Sequence, residues 1–318
     1  MPGLDYSAVS SNLVRANLWS DQLKQVLIDT LQGQQFVNWL TNFPDGTTFN
    51  IPSIGEIPMR NVDENTPVTY DTLQTGNFAF TIDQYVEAAT YITDKAKQES
   101  FVADQLVAAF LPKMKRAIEE NLEAKIFALQ SSQTVNNLNS INGAGHRFVA
   151  TGSSNTVLAL QDFARAKLAL DKAMCSQRRI AVIDPSQEYI LNTLTNIVGV
   201  ANNPMFEGIV TEGFVNNTTG MRFSKNIYGF DVYVSNYLDT PTDTTINAVS
   251  VPASPVANLF LSVGADETPF KGAWRQLPRV EFERNKDLRR DEYVMNGRYG
   301  LKLYRPEALV TVISTTSV

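Results

Sequence analysis

The sequence predicts an α+β protein in which extended segments and one long helix precede a compact block of alternating helices and strands. Residues 46–92 are punctuated by proline and glycine and include a segment that alternates apolar and polar residues, as a strand with one buried face does. Residues 102–126 carry an apolar residue at every fourth position, which is typical of a helix. Residues 155–270 alternate helix-like and strand-like patterns. A chain of 318 residues, 43% of them hydrophobic, is long enough to bury a core without disulfides.

Residues 1–45 are predicted to form a leading arm that is rich in large apolar side chains. Within residues 20–31, apolar side chains recur at a short helical spacing. Large apolar residues also flank this segment: Trp19, Phe36, Trp39, Leu40 and Phe43. An arm of this composition should be covered either by the core of its own chain or by a neighbouring chain, and the sequence leaves both alternatives open.

Residues 46–92 are predicted to form a long β-hairpin with a polar tip at residues 60–65. Two strands alone bury too little apolar area to be stable, so the hairpin should lie on another body. That body could be the same chain. The sharper hypothesis is a projecting arm that contacts another subunit through its tip residues Asn61, Asp63 and Glu64.

Residues 93–154 are predicted to hold a long helix followed by a polar linker. The helix should run from about residue 100 to residue 129, a length of about 45 Å. Because a helix has 3.6 residues per turn, each step of four residues moves the apolar position about 40° further around the helix axis. The apolar stripe therefore winds around the helix and should meet different partners along its length. Pro112 lies inside this segment and should bend its axis. Residues 131–156 are rich in Ser, Asn and Gly, which is typical of a linker.

Residues 155–270 are predicted to form an α/β block, and residues 271–318 are predicted to return as extended strands. In the block, helical patterns cover residues 157–174 and 188–194, and buried strand patterns cover residues 180–183, 228–235 and 259–263. In the returning strands, charged and apolar residues alternate, as in an antiparallel sheet with one solvated face.

The run from Glu281 to Glu292 mixes charges of both signs densely. One interpretation is a solvated strand and loop. The alternative is a charge network between subunits, because isolated surface pairs contribute little whereas networks fix the partner and the register. The candidate residues for such a network are Arg279, Glu281, Glu283, Arg284, Arg289 and Arg290.

The composition excludes most imidazole and thiolate chemistry. The chain has one cysteine, Cys175, and one histidine, His146, so neither a disulfide framework nor a zinc cage can be built. We expect Cys175 to be a buried structural thiol and His146 to be a polar loop residue. No catalytic, cofactor or metal site is predicted. With a net charge of −6, we do not expect the dense basic face of a sequence-reading nucleic-acid binder. We also expect neither a secretory signal nor an apolar run long enough to span a bilayer.

Several segments resemble the HK97-type major capsid proteins of tailed bacteriophages, and they occur in the same order as in that family. The segments are residues 82–94, which lead into the long helix; FARAKLALD at 163–171 with RRIAVIDP at 178–185; GFDVYVSN at 229–236; and YGLKLYRPE at 299–307. Each segment is short, and the resemblance extends over nearly the whole chain through their order.

The resemblance implies an HK97-like capsid fold. It has an N-terminal arm (1–45), an E-loop hairpin (46–92), a P-domain spine helix with a linker (93–154), an A domain (155–270) and returning P-domain strands (271–318). It further implies a non-enzymatic protein, built into a virion in the host cytoplasm, that self-assembles through hexamers and pentamers into an icosahedral shell around a double-stranded DNA phage genome. The implied partners are a separate scaffolding protein, a portal protein and a cement or decoration protein, with only weak contact to packaged DNA and none to a membrane.

One departure from the family pattern concerns covalent crosslinking. Some members crosslink through a lysine of the E-loop, but this chain has no lysine between Lys24 and Lys95. An E-loop lysine crosslink is therefore excluded, and overlap of the arm and the hairpin should strengthen the shell instead.

Three alternatives remain at this stage. An encapsulin-type nanocompartment shell protein shares the fold that the resemblance implies. A two-domain α/β enzyme with a cleft near residues 131–156 belongs to a different class. A tail-tube or adhesion protein is less compatible with a long helix that acts as a strut.

Overall fold

The computed structural model describes most of the chain after residue 30. The described residues are 31–40, 48–99 (except positions 56, 58, 62, 63, 66, 68, 69, 71, 73 and 74), 103–135, 139–153, 156–175, 178–193, 223–264 and 267–317. The helix expected within residues 20–31, together with Trp19 and Phe43 of the arm, lies outside them.

The architecture is α+β, as the sequence predicts. The helices are α1 (Asp94–Glu99), α2 (Ala103–Ala128), α3 (Ser132–Val135), α4 (Leu160–Lys172) and α5 (Pro185–Thr193), with 3₁₀ turns at Gly33–Phe36, Leu129–Ser131 and Pro306–Ala308. The strands are β1 (Val37–Leu40), β2 (Thr48–Ile54), β3 (Thr75–Thr81), β4 (Gln84–Thr93), β5 (Ser140–Ile141), β6 (Ala144–Gly145), β7 (Arg147–Val149), β8 (Arg178–Ile183), β9 (Phe223–Ile227), β10 (Phe230–Val234), β11 (Thr245–Ile246), β12 (Val249–Ser250), β13 (Pro255–Val263), β14 (Phe270–Asn285), β15 (Arg290–Leu303) and β16 (Leu309–Thr315).

A four-stranded sheet in the order β1-β14-β15-β4 packs against the long helix α2. Near its middle, α2 buries Met114 and Ile118 against Met295 of β15. Two turns further on, Leu122 and Ile126 belong to a different apolar cluster that includes Phe36 and Tyr299. The prediction that the apolar stripe meets different partners along the helix is confirmed, and Pro112 lies inside α2 as expected.

A six-stranded sheet in the order β7-β16-β13-β8-β10-β9 forms the second body. β8 and β10 run parallel, and α4, which precedes β8, covers the sheet. Phe163 of α4 is fully buried and meets the rings of Phe230 and Phe260 edge to face, at centroid distances of 6.4 and 5.0 Å. This is the α/β block that the sequence predicts.

Three segments lie elsewhere than the sequence indicates. The hairpin consists of β2 and β3. β4 instead pairs with β15, and this pairing places Val86 and Ala88 on the face of the sheet that packs against α2. The expected polar linker contains β7, whose three residues are all buried beside β16. The last strand, β16, joins the six-stranded sheet between β13 and β7, since all seven of its residues are buried. The further division of the chain into domains stays a prediction.

Among the helices of the described residues, none is both long enough and apolar enough to cross a membrane.

Candidate subunit interface

The β2–β3 hairpin is buried at its base and exposed towards its tip. Its strands pair from Thr48↔Thr81 to Ile54↔Thr75, and Phe80 at the base is fully buried. Beyond the paired strands, three large apolar side chains face solvent: Ile57 is 76% exposed, Met59 98% and Tyr70 88%. Large apolar side chains gathered on one projecting segment indicate a contact surface.

The predicted polar tip lies within this exposed segment. Asn61 and Glu64 are exposed, and Glu64 precedes Asn65, whose φ of 67° is the left-handed conformation that asparagine tolerates in turns. Asp63 lies outside the described residues. The sequence singled out the polar tip residues but missed the apolar side chains that flank them.

The four-stranded sheet has an outer face, opposite α2, that carries many of the predicted charges. In β4, Val86 and Ala88 pack towards α2, so their odd-numbered neighbours occupy the other face. The strand registers then place the following residues on the outer face: Tyr85, Glu87, Ala89 and Tyr91 of β4; Arg290, Glu292, Val294, Asn296 and Arg298 of β15; and Arg279, Glu281 and Glu283 of β14.

The predicted charges on the outer face pair within the chain. Arg279 donates to Glu281 at 2.6 Å, and Arg290 donates to Glu292 at 2.6 Å. The Arg290 guanidinium also lies 4.4 Å from the ring centroid of Tyr91. Exposed pairs of this kind contribute little to the stability of one chain. Glu283 lies opposite Glu292 in the register, so two carboxylates are neighbours there. Together with the arginines they give the outer face charges of both signs.

Arg284 and Arg289 lie away from the outer face: Arg284 is on the opposite face of β14, one residue before the strand ends, and Arg289 is in the turn that joins β14 to β15. Arg284 donates two hydrogen bonds to the carboxylate of Asp94, at 2.7 and 2.9 Å, and one to Asp291 at 2.9 Å. Lys97 also donates to Asp291. The main-chain carbonyl of Arg289 accepts a bond from the N–H of Asp94 at 3.0 Å. We call Asp94, Lys97, Arg284 and Asp291 the turn cluster.

Asp94 and Lys97 were not predicted from the sequence, because they belong to α1 and lie far from Arg284 along the chain. Asp291 falls inside the predicted charge run but was not singled out. Only the pairing of β4 with β15 brings these residues together, with Asp291 opposite Ile92. Nothing in the local sequence signals that pairing.

The charges of the turn cluster shift each other's protonation. The hydrogen bond from Lys97, followed by that from Arg284, lowers the pKa of Asp291 below its ordinary value of 3.8. The hydrogen bond from Arg284 likewise lowers the pKa of Asp94, and Asp291 raises the pKa of Lys97. The cluster is therefore fully ionised at neutral pH.

Acid is expected to release the turn cluster. Because the pKa values of Asp94 and Asp291 are lower in the folded chain, their contribution to stability is present above the ordinary value of 3.8 and is lost as the pH falls below it. Thermal unfolding between pH 2.5 and pH 7 should show this loss as a fall in melting temperature. The fall should be smaller in Asp291→Asn than in the wild-type protein. Equal acid sensitivity of the wild-type protein and Asp291→Asn would contradict the prediction.

The lone cysteine and histidine are both buried and separate. Cys175 is a buried thiol, as predicted, and burial raises its pKa to about 11. His146, expected in a polar loop, is instead fully buried, because it lies between β6 and the buried strand β7, where Thr311 donates to its main-chain carbonyl at 2.8 Å. Burial lowers its pKa. Within the described ranges, no group of His, Cys, Asp and Glu side chains could hold a metal ion.

The two sheets, the long helix and the projecting hairpin define an HK97-like capsid fold. The chain matches the family described as phage capsid protein over residues 77–312, and it belongs to that family. It is thus a major capsid protein, a structural subunit of a phage shell. No curated protein sequence matches the chain.

Solved structures agree with this fold. A chain in the structure of Mycobacterium phage Che8 has 16% identity and a TM-score of 0.64, with 95% of this chain and 97% of that chain covered. For the capsid of cyanophage Pam1 the identity is 12% and the TM-score 0.69, with 99% and 98% covered. The encapsulin complex of Synechococcus elongatus PCC 7942 also matches, with 12% identity, a TM-score of 0.57, and 100% and 98% covered.

Proposed function

We propose that the protein assembles through hexamers and pentamers into an icosahedral shell that encloses a double-stranded DNA phage genome, and that it has no catalytic activity. The observation that carries this proposal is a projecting hairpin whose tip exposes large apolar side chains, in a chain that belongs to the phage capsid protein family. One chain leaves this surface open, and a shell of many copies would cover it.

The tip of the hairpin is proposed to contact a neighbouring subunit. Asn61, Asp63 and Glu64 would supply polar contacts, and the flanking apolar residues would supply buried area. The outer face of a second copy is a suitable counterpart, because it presents Tyr85 and Tyr91 as half-exposed aromatic side chains among charges of both signs. Aromatic side chains dominate the energy of protein interfaces.

The charged residues are proposed to fix the register between subunits. Arg279, Glu281, Glu283 and Arg290 lie on the outer face, where the ion pairs of one chain can be exchanged for pairs with another chain. Arg284 and Arg289 would act at the end of the β14–β15 hairpin. Such charges favour correct partners more than they add affinity.

Further partners follow from the resemblance to other capsid proteins and remain proposals. They are a separate scaffolding protein, a portal protein and a cement or decoration protein, with assembly in the host cytoplasm and residence in the virion. The net charge of −6 supports weak contact with packaged DNA, because strong phosphate binding needs a dense basic surface. We propose no membrane contact.

Placing a charge at the hairpin tip is expected to block assembly without unfolding the subunit. Met59→Asp puts a carboxylate at a side chain that is 98% exposed, so the isolated chain should fold normally. In a subunit contact the same carboxylate would be desolvated, which costs several kcal/mol. Negative-stain electron microscopy of the purified protein, alone and with a candidate scaffold, should show closed shells for the wild type and none for Met59→Asp.

The matched control is Met174→Asp, at a similarly exposed methionine just after α4. This variant should still form shells. Wild-type yields of shells from Met59→Asp would contradict the proposed contact of the hairpin tip.

An encapsulin-type shell is the second candidate, because the encapsulin of Synechococcus elongatus shares the fold over the whole chain. A cargo protein that copurifies with closed shells would favour it. Shells that form around a scaffold and recruit a portal would favour the phage capsid.

A further inference from the structure

The base of the hairpin is held by a chain of cationic and aromatic side chains. Lys302 of β15 donates from Nζ to the main-chain carbonyl of Ala79 in β3, at 2.6 Å. The same ammonium lies 4.8 Å from the ring centroid of Phe78. Phe78 meets Tyr304 edge to face at 4.9 Å, and Lys271 lies 3.6 Å from the Tyr304 ring centroid. We call Phe78, Ala79, Lys271, Lys302 and Tyr304 the basal clamp.

An apolar floor lies next to the basal clamp. Phe80, Ile82 and Ala273 are buried together, with Leu40 and Phe78 packed against them. The burial of β3 falls towards the tip, where Thr75, Gly76 and Asn77 are exposed. The described part of the hairpin therefore projects from a base that is fixed at one end.

A projecting hairpin magnifies small rotations at its base. The six steps from Thr81 to Thr75 span about 20 Å at about 3.4 Å per residue. A rotation of 10° at the base would move Thr75 by about 3.5 Å, estimated from the same strand spacing. A displacement of this size exceeds the distance over which hydrogen bonds and close packing persist. The angle of the hairpin therefore has to be set at its base.

We propose that Lys302 is a positioning residue that holds the hairpin, before assembly begins, at the angle at which it meets the neighbouring subunit. This inference rests on the proposed contact of the hairpin tip. Lys302 is suited to the role because its bond goes to the main chain of the hairpin strand, so it fixes the strand itself. It also joins β15 to β3, which are not neighbours in a sheet. Fixing the hairpin in advance reduces the entropy lost on association.

The side chain of Lys302 is exposed, so its replacement should leave the subunit folded. Lys302→Met keeps an unbranched apolar chain and removes the ammonium, whereas Lys302→Arg keeps a cationic donor. The matched control is Lys172→Met, because Lys172 makes the same kind of bond, to the carbonyl of Gly143 at 3.1 Å, at the end of α4.

The first readout is the spread of hairpin positions in the unassembled full-length subunit. Spin labels at Asn77→Cys and Lys113→Cys would report the distance between the exposed part of β3 and α2 by pulsed electron paramagnetic resonance. Labelling should be specific for these two sites, because the native Cys175 is buried. We expect a narrow distance distribution in the otherwise unchanged protein and in Lys172→Met. Lys302→Met should broaden it about twofold, and Lys302→Arg should restore it, because the cationic donor bond is what is lost and regained.

The second readout is the rate of shell formation, followed by light scattering. Lys302→Met should slow assembly by about tenfold or more, the factor in an equilibrium constant that corresponds to the loss of one hydrogen bond to a charged group. Its melting temperature should stay close to that of the wild type. Unchanged distances, or unchanged assembly despite broadened distances, would overturn the inference.

Failure of this inference and failure of the proposed tip contact give different results. If Met59→Asp blocks assembly while Lys302→Met assembles normally, the tip contact stands and the positioning role is wrong. If Met59→Asp assembles normally, the tip contact itself is wrong, and the inference that rests on it is wrong as well.

Discussion

Replacing Glu123 with glutamine is expected to lower the free energy of unfolding by about 2–4 kcal/mol. The Glu123 carboxylate of α2 is fully buried and accepts hydrogen bonds from the main-chain N–H groups of Gln32, at 2.8 Å, and Gly33, at 2.7 Å to each oxygen. Glutamine offers one acceptor oxygen and turns an NH₂ donor towards N–H groups that are themselves donors. The amide oxygen could still accept from both N–H groups in the place of Oε1, but the NH₂ in the place of Oε2 would face the N–H of Gly33, donor against donor, and the negative charge that strengthens these bonds would be lost.

This prediction also concerns the arm, because Gln32 and Gly33 are among the first described residues of the chain. A Cβ at Gly33 would lie 2.8 Å from the Glu123 carboxylate, which explains why a glycine lies there. Urea unfolding of the unassembled subunit would measure the loss, and limited proteolysis should show faster cleavage before β1 in Glu123→Gln.

The matched control is Glu119→Gln on the same helix. Glu119 pairs with the well-exposed Lys115, at 3.6 Å on the helix surface, so the change should cost less than about 0.5 kcal/mol. Equal stabilities of Glu119→Gln and Glu123→Gln would show that the buried carboxylate does not anchor the start of β1.

Replacing Gly300 with alanine is expected to destabilise the subunit by about 1–3 kcal/mol, the cost of forcing an extra methyl group into a packed site. A Cβ at this position of β15 would lie 2.6 Å from the carbonyl oxygen of Thr81 and 3.0 Å from the Cα of Ile82. Both atoms belong to the main chain that joins β3 to β4, so no side-chain rotation can relieve the clash. The base of the hairpin would have to move.

Gly297→Ala provides the control on the same strand. Its Cβ would come no closer than 3.4 Å, to side-chain atoms of Pro278 and Trp274, so a small adjustment would accommodate it. Differential scanning calorimetry should give a clearly lower melting temperature for Gly300→Ala than for Gly297→Ala. A reversed order would refute the close approach of the two segments at Gly300.

Local periodicity was sufficient to predict the parts of the fold that depend on neighbouring residues. The four-residue repeat predicted α2, and the alternating pattern of residues 78–83 predicted β3. Both predictions are possible because an element that buries one face has apolar residues at a characteristic spacing. The winding of the stripe even predicted two sets of partners for α2, which Met295 and Tyr299 provide.

Pairing between distant segments could not be predicted in the same way. β4 alternates in burial as a hairpin strand would, so the sequence alone did not show that its partner is β15. The sequence of β16 is compatible with a last strand in either of the two sheets. Only the structure, in which β16 is completely buried between β13 and β7, shows to which sheet it belongs.

The candidate interface shows the same division. The charge run was recognised from composition. In the structure, however, Arg279 and Glu281 lie on the outer face, whereas Arg284 lies on the opposite face beside the turn and contacts Asp94. Strand register decides that separation, since residues of opposite parity face opposite sides of a sheet. Asp94, which accepts from Arg284, and Ala79, which accepts from Lys302, lie 190 and 223 positions away along the chain, beyond the range of any local pattern.

The strand order also constrains how a newly made chain reaches its native state on the ribosome. Val37 of β1 pairs with Phe270 of β14, and β4 is joined to the sheet through β15, so the sheet that supports α2 cannot close until translation has passed residue 303. Nonlocal pairing of this kind slows folding and leaves apolar surface open for longer. The emerging polypeptide therefore exposes the apolar side chains around Met59 well before the two sheets are complete. We expect chaperone binding during synthesis to matter more for this chain than for a helical protein of equal length.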